Sequence, residues 1–156
     1  MAMNIVDIPY RSIAVVAATI KAVVGVKAAA AVALKLLEAS ASFDGPTSTN
    51  APAVVDFSRS TFATQPPGTL STSVTPNKRD PGRAEAFGGT AAFDWSTTQP
   101  TVLTVQHSKD VGQFNGLYHY INPFAAPHII VGGQGFVISI TSPNNVNVTG
   151  HLTCEE

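Results

Sequence analysis

Four histidines are the most chemically versatile side chains of this chain, because an imidazole can bind a metal ion or transfer a proton near neutral pH. They are His107, His119, His128 and His151. No two of them have the close spacing of a recognised metal motif, and no carboxylate accompanies them in a ligand pattern. We therefore expect histidines that pack or lie on the surface, with no metal and no cofactor.

Nucleophilic catalysis and phosphate binding also lack their usual motifs. The sequence contains no GxSxG turn, and the single Cys154 has no partner placed beside it by the sequence. The segment Gly132-Gly-Gln-Gly135 lacks the Lys-Ser/Thr ending and the following helix of a phosphate loop. The aspartates are scattered, so no pair stands out for glycoside hydrolysis. We expect a protein without catalytic activity.

Three aromatic side chains are candidates for binding a ligand, namely Trp95, Tyr118 and Tyr120. On a strand, Tyr118 and Tyr120 would share one face while His119 takes the other. An exposed aromatic ring there could stack on a sugar ring or become buried at a subunit interface. Packing in the core is the alternative for the same residues, and the sequence leaves both open.

The charge content excludes some partners. Only 12% of the residues are charged, about half of the usual share, and the formal net charge is -1. This balance gives no electrostatic reason to bind nucleic acid or an anionic membrane. The basic tract Lys78–Arg83 is itself offset by Asp80 and Glu85. Uncharged polar side chains bind without the desolvation penalty of a charge, which suits extensive contacts with other protein molecules.

The last segment of the chain has the clearest periodic pattern. Val146, Val148, Leu152 and Cys154 alternate with polar residues such as His151. A period of two is typical of a strand with one face on a core. A single cysteine excludes an internal disulfide, and the phase of the strand predicts a packed thiol.

Short strand patterns separated by turn residues recur along the rest of the chain. They cover residues 37–43, 53–62, 86–95, 101–108, 116–121, 128–131 and 135–141. Regular spacing of this kind predicts an all-β protein, a single β-sandwich of the jelly-roll type over residues 19–156.

Two segments are less clear. The Ala-rich residues 27–37 have good helix propensity, so a short helix is an alternative to the two strands that we favour, joined near residues 28–31. Residues 63–85 are rich in Pro, Thr, Ser and Gly. A loop of this length in a small domain usually has a binding function, and we name it the excursion.

The first 18 residues are predicted to form an extended arm. The Ile-Pro sequence at positions 8 and 9 favours an extended backbone. The apolar residues of the arm would bury surface against neighbouring subunits. These interface candidates are Ile5, Val6, Ile8, Tyr10, Ile13 and Val15.

The same part of the chain does not have the pattern of a membrane segment. Residues 12–37 are apolar, but Lys21, Lys27 and Lys35 interrupt them too often for a membrane span. Asp7 and Pro9 disfavour a secretory leader. We expect a protein made in the cytoplasm, without membrane association.

With these elements in place, the chain resembles a group of small structural proteins of tailed bacteriophages. The shared features are the apolar N-terminal strand, the segment Leu37-Glu-Ala-Ser-Ala-Ser-Phe-Asp-Gly45, the Pro/Thr-rich excursion, and the final strand Val146-Asn-Val-Thr-Gly-His-Leu-Thr-Cys-Glu-Glu156. The resemblance spans residues 19–156. Ala39 and Ala41 stand where larger residues are expected, and Cys154 stands where an aromatic is common. The resemblance implies a virion protein with a β-sandwich fold, on the capsid or the tail, without catalysis.

The leading hypothesis is therefore a capsid decoration or cementing protein, made in the host cytoplasm and incorporated into the virion. It would form a homo-oligomer such as a trimer and contact the major capsid protein or other virion proteins, but no nucleic acid. A receptor- or carbohydrate-binding module that uses Trp95, Tyr118 or Tyr120 is the alternative. A glycan hydrolase is the third hypothesis.

Overall fold

The protein is an all-β sandwich, as the sequence predicts. A computed structural model describes residues 4–45, 51–123 and 127–156. Its described residues form strands and connecting turns, without a helix. The strands build two antiparallel sheets that enclose one main core.

The described residues form twelve strands. They are β1 (Ile5–Val15), β2 (Ile20–Ala28), β3 (Ala33–Asp44), β4 (Ala53–Ser60), β5 (Thr72–Val74), β6 (Asn77–Lys78), β7 (Gly89–Phe93), β8 (Val102–Val111), β9 (Phe114–Ile121), β10 (Ile129–Val131), β11 (Gly135–Thr141) and β12 (Val146–Glu155).

The strand order is that of a jelly roll. In the first sheet, β1 pairs with β12, β12 with β3, and β3 with β9. In the second sheet, β2 pairs with β11, β11 with β4, and β4 with β8. Two four-stranded sheets linked in this order form the two Greek keys of a jelly roll. The small strand β10 continues the β9 edge of the first sheet, because both pair with β3.

The predicted N-terminal arm is wrong for the residues that the structure describes, since residues 5–15 are a strand of the first sheet. Strand β1 lies between β12 and β6. Five of the six interface candidates are buried in the core of their own chain, and Ile5 is half-buried. The buried ones are Val6, Ile8, Tyr10, Ile13 and Val15. They are therefore not available to a neighbouring subunit, and residues 1–3 lie outside the described part.

A β-bulge explains why the pattern of β1 is hard to recognise. The register with β12 shifts between Tyr10 and Ile13, and Ser12 adopts a positive φ of 53°. A bulge inserts an extra residue, so the buried positions change from even numbers to odd ones. The alternation that identifies a strand is thereby broken at its centre.

Residues 27–37 are two strands with a tight connection, and the alternative helix is not formed. Strand β2 ends at Ala28, and β3 begins at Ala33. The amide of Val32 donates to the carbonyl of Ala29 within the connection. Leu34 and Leu36 are fully buried, so packing between the sheets outweighs the helix propensity of the alanines.

The excursion closes the open side of both sheets. Strand β5 pairs with β7 at the edge of the second sheet, and β6 pairs with β1 at the edge of the first. The segment before β5 packs on the outer face of the second sheet. There, Phe62 and Trp95 form a small second core with three aliphatic residues, Ala22, Ala92 and Val137.

The final strand has the predicted faces. Val146, Val148, Leu152 and Cys154 are buried, and Asn147 and Thr149 are exposed. The thiol of Cys154 is free and fully buried, which confirms the prediction of a packed cysteine. Within the described residues, the chain has no helix with the length and apolarity needed to span a bilayer.

Candidate interaction site on the first sheet

A group of polar side chains lies on the outer face of the first sheet, and we call it the polar cluster. It consists of Glu38 and Ser40 on β3, His119 on β9, and His151 on β12. The register brings them together, because Ser40 lies opposite both His119 and His151. Alternate residues of a strand point to the same face, which places Glu38 on that side as well.

One carboxylate oxygen holds both histidines. Nε2 of His119 donates to Oε1 of Glu38 at 2.8 Å, and Nε2 of His151 donates to the same oxygen at 2.9 Å. Partial burial raises the pKa of the Glu38 carboxyl, but the hydrogen bonds from His151 and His119 outweigh this effect. The net pKa of Glu38 is therefore below its usual value, and the carboxylate is charged at neutral pH.

Ser40, His151 and Glu38 are linked in the order of a hydrolase triad. The Ser40 hydroxyl lies 2.8 Å from Nδ1 of His151, whose other nitrogen contacts Glu38. The ring nitrogens are exchanged relative to serine proteases, in which Nε2 faces the serine. Ser40 is only 7% exposed on a flat strand, and its oxygen also accepts the backbone N–H of His151. This arrangement orients side chains across the sheet and leaves little room for an attacked carbonyl.

An exposed apolar row runs beside the polar cluster, along the edge formed by β9 and β10. Its side chains are between 43% and 68% exposed. They are Phe114, Leu117, Ile121, Ile129 and Val131. Each of the five residues pairs with a residue of β3, from Asp44 at one end to Ala33 at the other. The five side chains therefore form one row that runs beside β3. We call this surface the β9–β10 edge.

The β9–β10 edge differs from the other three edges of the two sheets. Strands β5 and β6 have three and two residues, respectively, and such short strands offer little template for pairing. Strand β8 is long but carries the charged Lys109 and Asp110. By contrast, β9 has eight residues, and neither β9 nor the three-residue β10 contains Lys, Arg, Asp or Glu. A register shift near Asn115 interrupts the start of β9, but the residues from Leu117 to Ile121 pair regularly with β3 and have no charged side chain to block a further strand.

A second group of histidines and tyrosines lies on the inner side of β9. Tyr118 and Tyr120 point between the sheets, while His119 points outward, as the alternation predicts. The Tyr118 hydroxyl lies 3.2 Å from Nδ1 of His107, and the Tyr120 hydroxyl lies 3.0 Å from Nε2 of His128. The ring of Tyr120 also stacks on Phe57, with centroids 6.0 Å apart.

This inner group is part of the packing between the sheets. Burial raises the pKa of Tyr118, and the neighbouring Tyr120 and Asp56 act in the same direction. Burial also lowers the pKa of His128, with further contributions from the charges of Arg59 and His107. Both effects favour neutral side chains, which is the state that a sheet interior tolerates.

The structure does not present the predicted ligand-binding aromatics as one surface. Trp95 and Tyr118 are fully buried, and Tyr120 is half-buried against the core. Trp95 packs with Phe62 on the far side of the second sheet, and its Nε1 donates to the carbonyl of Gln65 at 3.0 Å. Trp95 and Tyr118 therefore have no exposed ring for a sugar to stack on, and of the two alternatives that the sequence leaves open, these residues follow packing in the core.

An open groove of about 510 Å³ beside the excursion is an alternative place for a small molecule. Val74, Phe87 and Lys78 are among its lining residues. The Lys78 ammonium group already donates to the carbonyls of Arg83 and Glu85. The charged group of this groove is therefore already bound by backbone carbonyls of the same loop.

Sequence reasoning missed both the polar cluster and the β9–β10 edge. Glu38 lies 81 residues from His119 and 113 residues from His151, so only the sheet register joins them. The absence of charged residues over positions 114–131 was a visible signal for the edge. In the described part of the chain, no three side chains of His, Cys, Asp or Glu are arranged to hold a metal ion. Comparison with family models, curated proteins and solved structures finds no match to this chain.

Proposed function

We propose that this chain is a non-enzymatic structural protein of a bacteriophage virion, a capsid decoration or cementing protein that binds its neighbours through the β9–β10 edge. The observation that carries the proposal is this edge, where Leu117 and Ile121 are 61% and 68% exposed on an uncharged strand. An exposed apolar row of this kind marks a surface that binds other protein.

The fold supports the proposal. Jelly rolls are common in viral capsid proteins, although they also occur in lectins and enzymes. The sequence resemblance to small phage structural proteins points in the same direction. The low charge of the chain adds a physical reason, because weak self-repulsion permits dense packing of many copies.

The mechanism is mechanical and differs from the one that the sequence predicts. Strand β1 stabilises its own sandwich, so the contact with neighbours is assigned to β9 and β10. A single edge contact is weak, but a chain that contacts a repeating shell at several points gains avidity. Such a protein stabilises the shell by linking neighbouring capsid subunits.

The copy number in purified particles tests this proposal. Particles carrying the chain would be purified on a density gradient, and the chain would be quantified against the major capsid protein by mass spectrometry. We expect on the order of hundreds of copies per particle, as repeated contacts on a shell require. A chain found only in the unassembled fraction would contradict the proposal, and a handful of copies would move it from the shell to the tail.

Matched variants connect the copy number to the edge. Ile121→Lys places a charge in the apolar row, whereas Val16→Lys makes a comparable change at an exposed residue outside the row, which is 60% exposed. We expect the first variant to reduce the copy number by at least about tenfold, because a buried unpaired charge opposes binding. Equal occupancy of both variants would rule out the edge as the docking surface.

A further inference from the structure

We infer that the β9–β10 edge pairs with a second copy of this chain, with the two β9 strands antiparallel and related by a twofold axis at His119. The inference rests on the proposed function, since it names one partner of the same edge. In such a dimer, the first sheets of two molecules join into one continuous sheet. This would be an isologous contact, in which each copy offers the same surface.

The free backbone of β9 is the first support. Strand β9 pairs with β3 along one side, from Ile121 opposite Glu38 to Phe114 opposite Asp44. In an antiparallel ladder, alternate residues direct their N–H and C=O groups away from that partner. The register shifts between Leu117 and Phe114, so the regularly paired residues from Leu117 to Ile121 are the part of β9 that can act as a template for another strand.

The side chains of β9 are self-complementary about His119. Leu117 and Ile121 lie two residues before and after it on the same face. An antiparallel pairing centred on His119 places Leu117 of each copy opposite Ile121 of the other. Apolar pairs directly opposite each other stabilise antiparallel sheets. This symmetry fits a copy of the same chain better than it fits an unrelated partner.

The charges near the axis also permit a copy of the same surface. The charged group that contacts His119 is Glu38, and its carboxylate is engaged by the two histidines of its own chain. No lysine or arginine stands on β9 or β10 to repel its own counterpart. A charged partner would instead need an opposite charge on this edge.

The area available is close to what a stable dimer requires. From their exposed fractions, the five side chains of the apolar row expose roughly 500 Å², near the upper range for the largest apolar patch of a monomer. A standard interface buries about 800 Å² on each partner. The backbone of the edge and the flanking polar side chains supply the remainder.

Site-specific cross-linking tests the pairing and its register. Residues directly opposite each other in an antiparallel ladder have Cα atoms about 4.5–5.5 Å apart, within the range of a disulfide. His119→Cys should therefore form a covalent dimer under mild oxidation. The matched control is Leu117→Cys, because its two copies would be about 13 Å apart and should stay uncoupled. The native Cys154 is fully buried and does not compete.

Sedimentation velocity supplies the second measurement on the unmodified protein. We expect a dimer with twice the 16.2 kDa mass of the chain, and Leu117→Lys should raise its Kd by about 100-fold or more. Val16→Lys, with nearly the same exposure, should leave the dimer intact. The melting temperature of each variant would confirm that it is folded.

Two results would overturn the inference. One is a protein that stays monomeric at about 200 µM, which is far above the Kd of a stable interface. The other is a dimer in which His119→Cys does not cross-link. Either result is distinguishable from failure of the proposed function, because a monomer can still be counted in purified particles. Conversely, a dimer that cross-links but is absent from particles would contradict the proposed function and would leave the inferred pairing intact.

Discussion

The guanidinium group of Arg79 makes two hydrogen bonds to the carboxylate of Asp7, at 2.9 and 3.0 Å. Arg79 belongs to the excursion and Asp7 to β1, so this pair fastens the excursion to the first sheet. The hydroxyl of Thr153 on β12 donates to the same carboxylate at 2.6 Å. Three segments distant in sequence are thus held by one charged group.

Asp7→Asn is expected to lower the free energy of unfolding by about 1 kcal/mol at pH 7, because both partners of this ion pair are partly exposed to solvent. Burial raises the pKa of Asp7, but the hydrogen bonds from Arg79 and Thr153 lower it by more than burial raises it. The net pKa of Asp7 is therefore below its usual value. A depressed carboxyl pKa stabilises the fold above the unfolded value and loses this effect as the pH falls through the folded value.

Urea titrations at several pH values measure this difference. The difference in the free energy of unfolding between wild type and Asp7→Asn should be constant above about pH 5 and should shrink below about pH 4. Asp80→Asn is the control, because the Asp80 carboxylate is mostly exposed and meets Arg83 at 3.4 Å. A gap that persists unchanged at pH 2 would contradict the assignment to the charged form of Asp7.

Trp95→Ala should lower the free energy of unfolding by about 3–5 kcal/mol, because it removes the largest side chain of the second core. Chemical denaturation followed by circular dichroism measures the loss. Limited proteolysis should then cut the excursion sooner, since Trp95 also holds the carbonyl of Gln65. Leu70→Ala, at an exposed position of the excursion, is the matched control with an effect below about 1 kcal/mol. Equal losses in both variants would mean that Trp95 has no special packing role.

Gly150→Ala is expected to lower the free energy of unfolding by more than about 2 kcal/mol. The hydroxyl of Tyr10 crosses over Gly150 to donate to the carbonyl of Ser40 at 2.8 Å. A Cβ at Gly150 would meet that carbonyl oxygen and would come within 2.6 Å of the Tyr10 hydroxyl. At Gly112 a Cβ would have no neighbour within 4 Å, so Gly112→Ala should be nearly neutral. A thermal melt of Gly150→Ala that matches wild type would refute this packing account.

Alkaline pH should destabilise the protein in two steps. Burial raises the pKa of the Cys154 thiol and of the Tyr10 and Tyr118 phenols, all of which stay neutral in the folded state. A raised pKa stabilises the fold below the unfolded value, and this stabilisation is lost as the pH rises. Unfolded thiols ionise near pH 8.5 and phenols near pH 10, so the loss should begin near pH 8.5.

Cys154→Ala separates the two steps. Without the thiol, the decline of the unfolding free energy should begin near pH 10 rather than near pH 8.5. Below pH 8 the variant should be less stable by about 1–2 kcal/mol, because it leaves a small cavity in the core. An unchanged onset in the alkaline titration would show that Cys154 is not the group responsible.

The elements that follow a regular period could be predicted from the sequence. Strand β12 keeps its alternation over ten residues, so its faces and the burial of Cys154 are readable without a structure. The sequence does not predict strand β1, because the bulge at Ser12 interrupts the period. Its pairing with β12 also joins opposite ends of the chain, from Ile5 opposite Glu155 to Val15 opposite Val146, and local propensity carries no such information.

The candidate site depends still more on long-range register. Tyr118 and His119 were recognised as a pair with opposite faces, but the pattern does not say which face is buried. The exposure of Leu117 and the contact between Glu38 and His151 both follow from β3 lying between β9 and β12. The burial of Trp95 cannot be read from the sequence, because a loop covers this residue and loop packing leaves no periodic signal.

The most direct test is a cryo-electron microscopy map of a particle that carries this chain, at a resolution that separates strands. We expect the β9–β10 edge to be buried against another protein chain, with a second copy paired at His119. A map in which this edge faces solvent, while other surfaces of the jelly roll make the contacts, would contradict it.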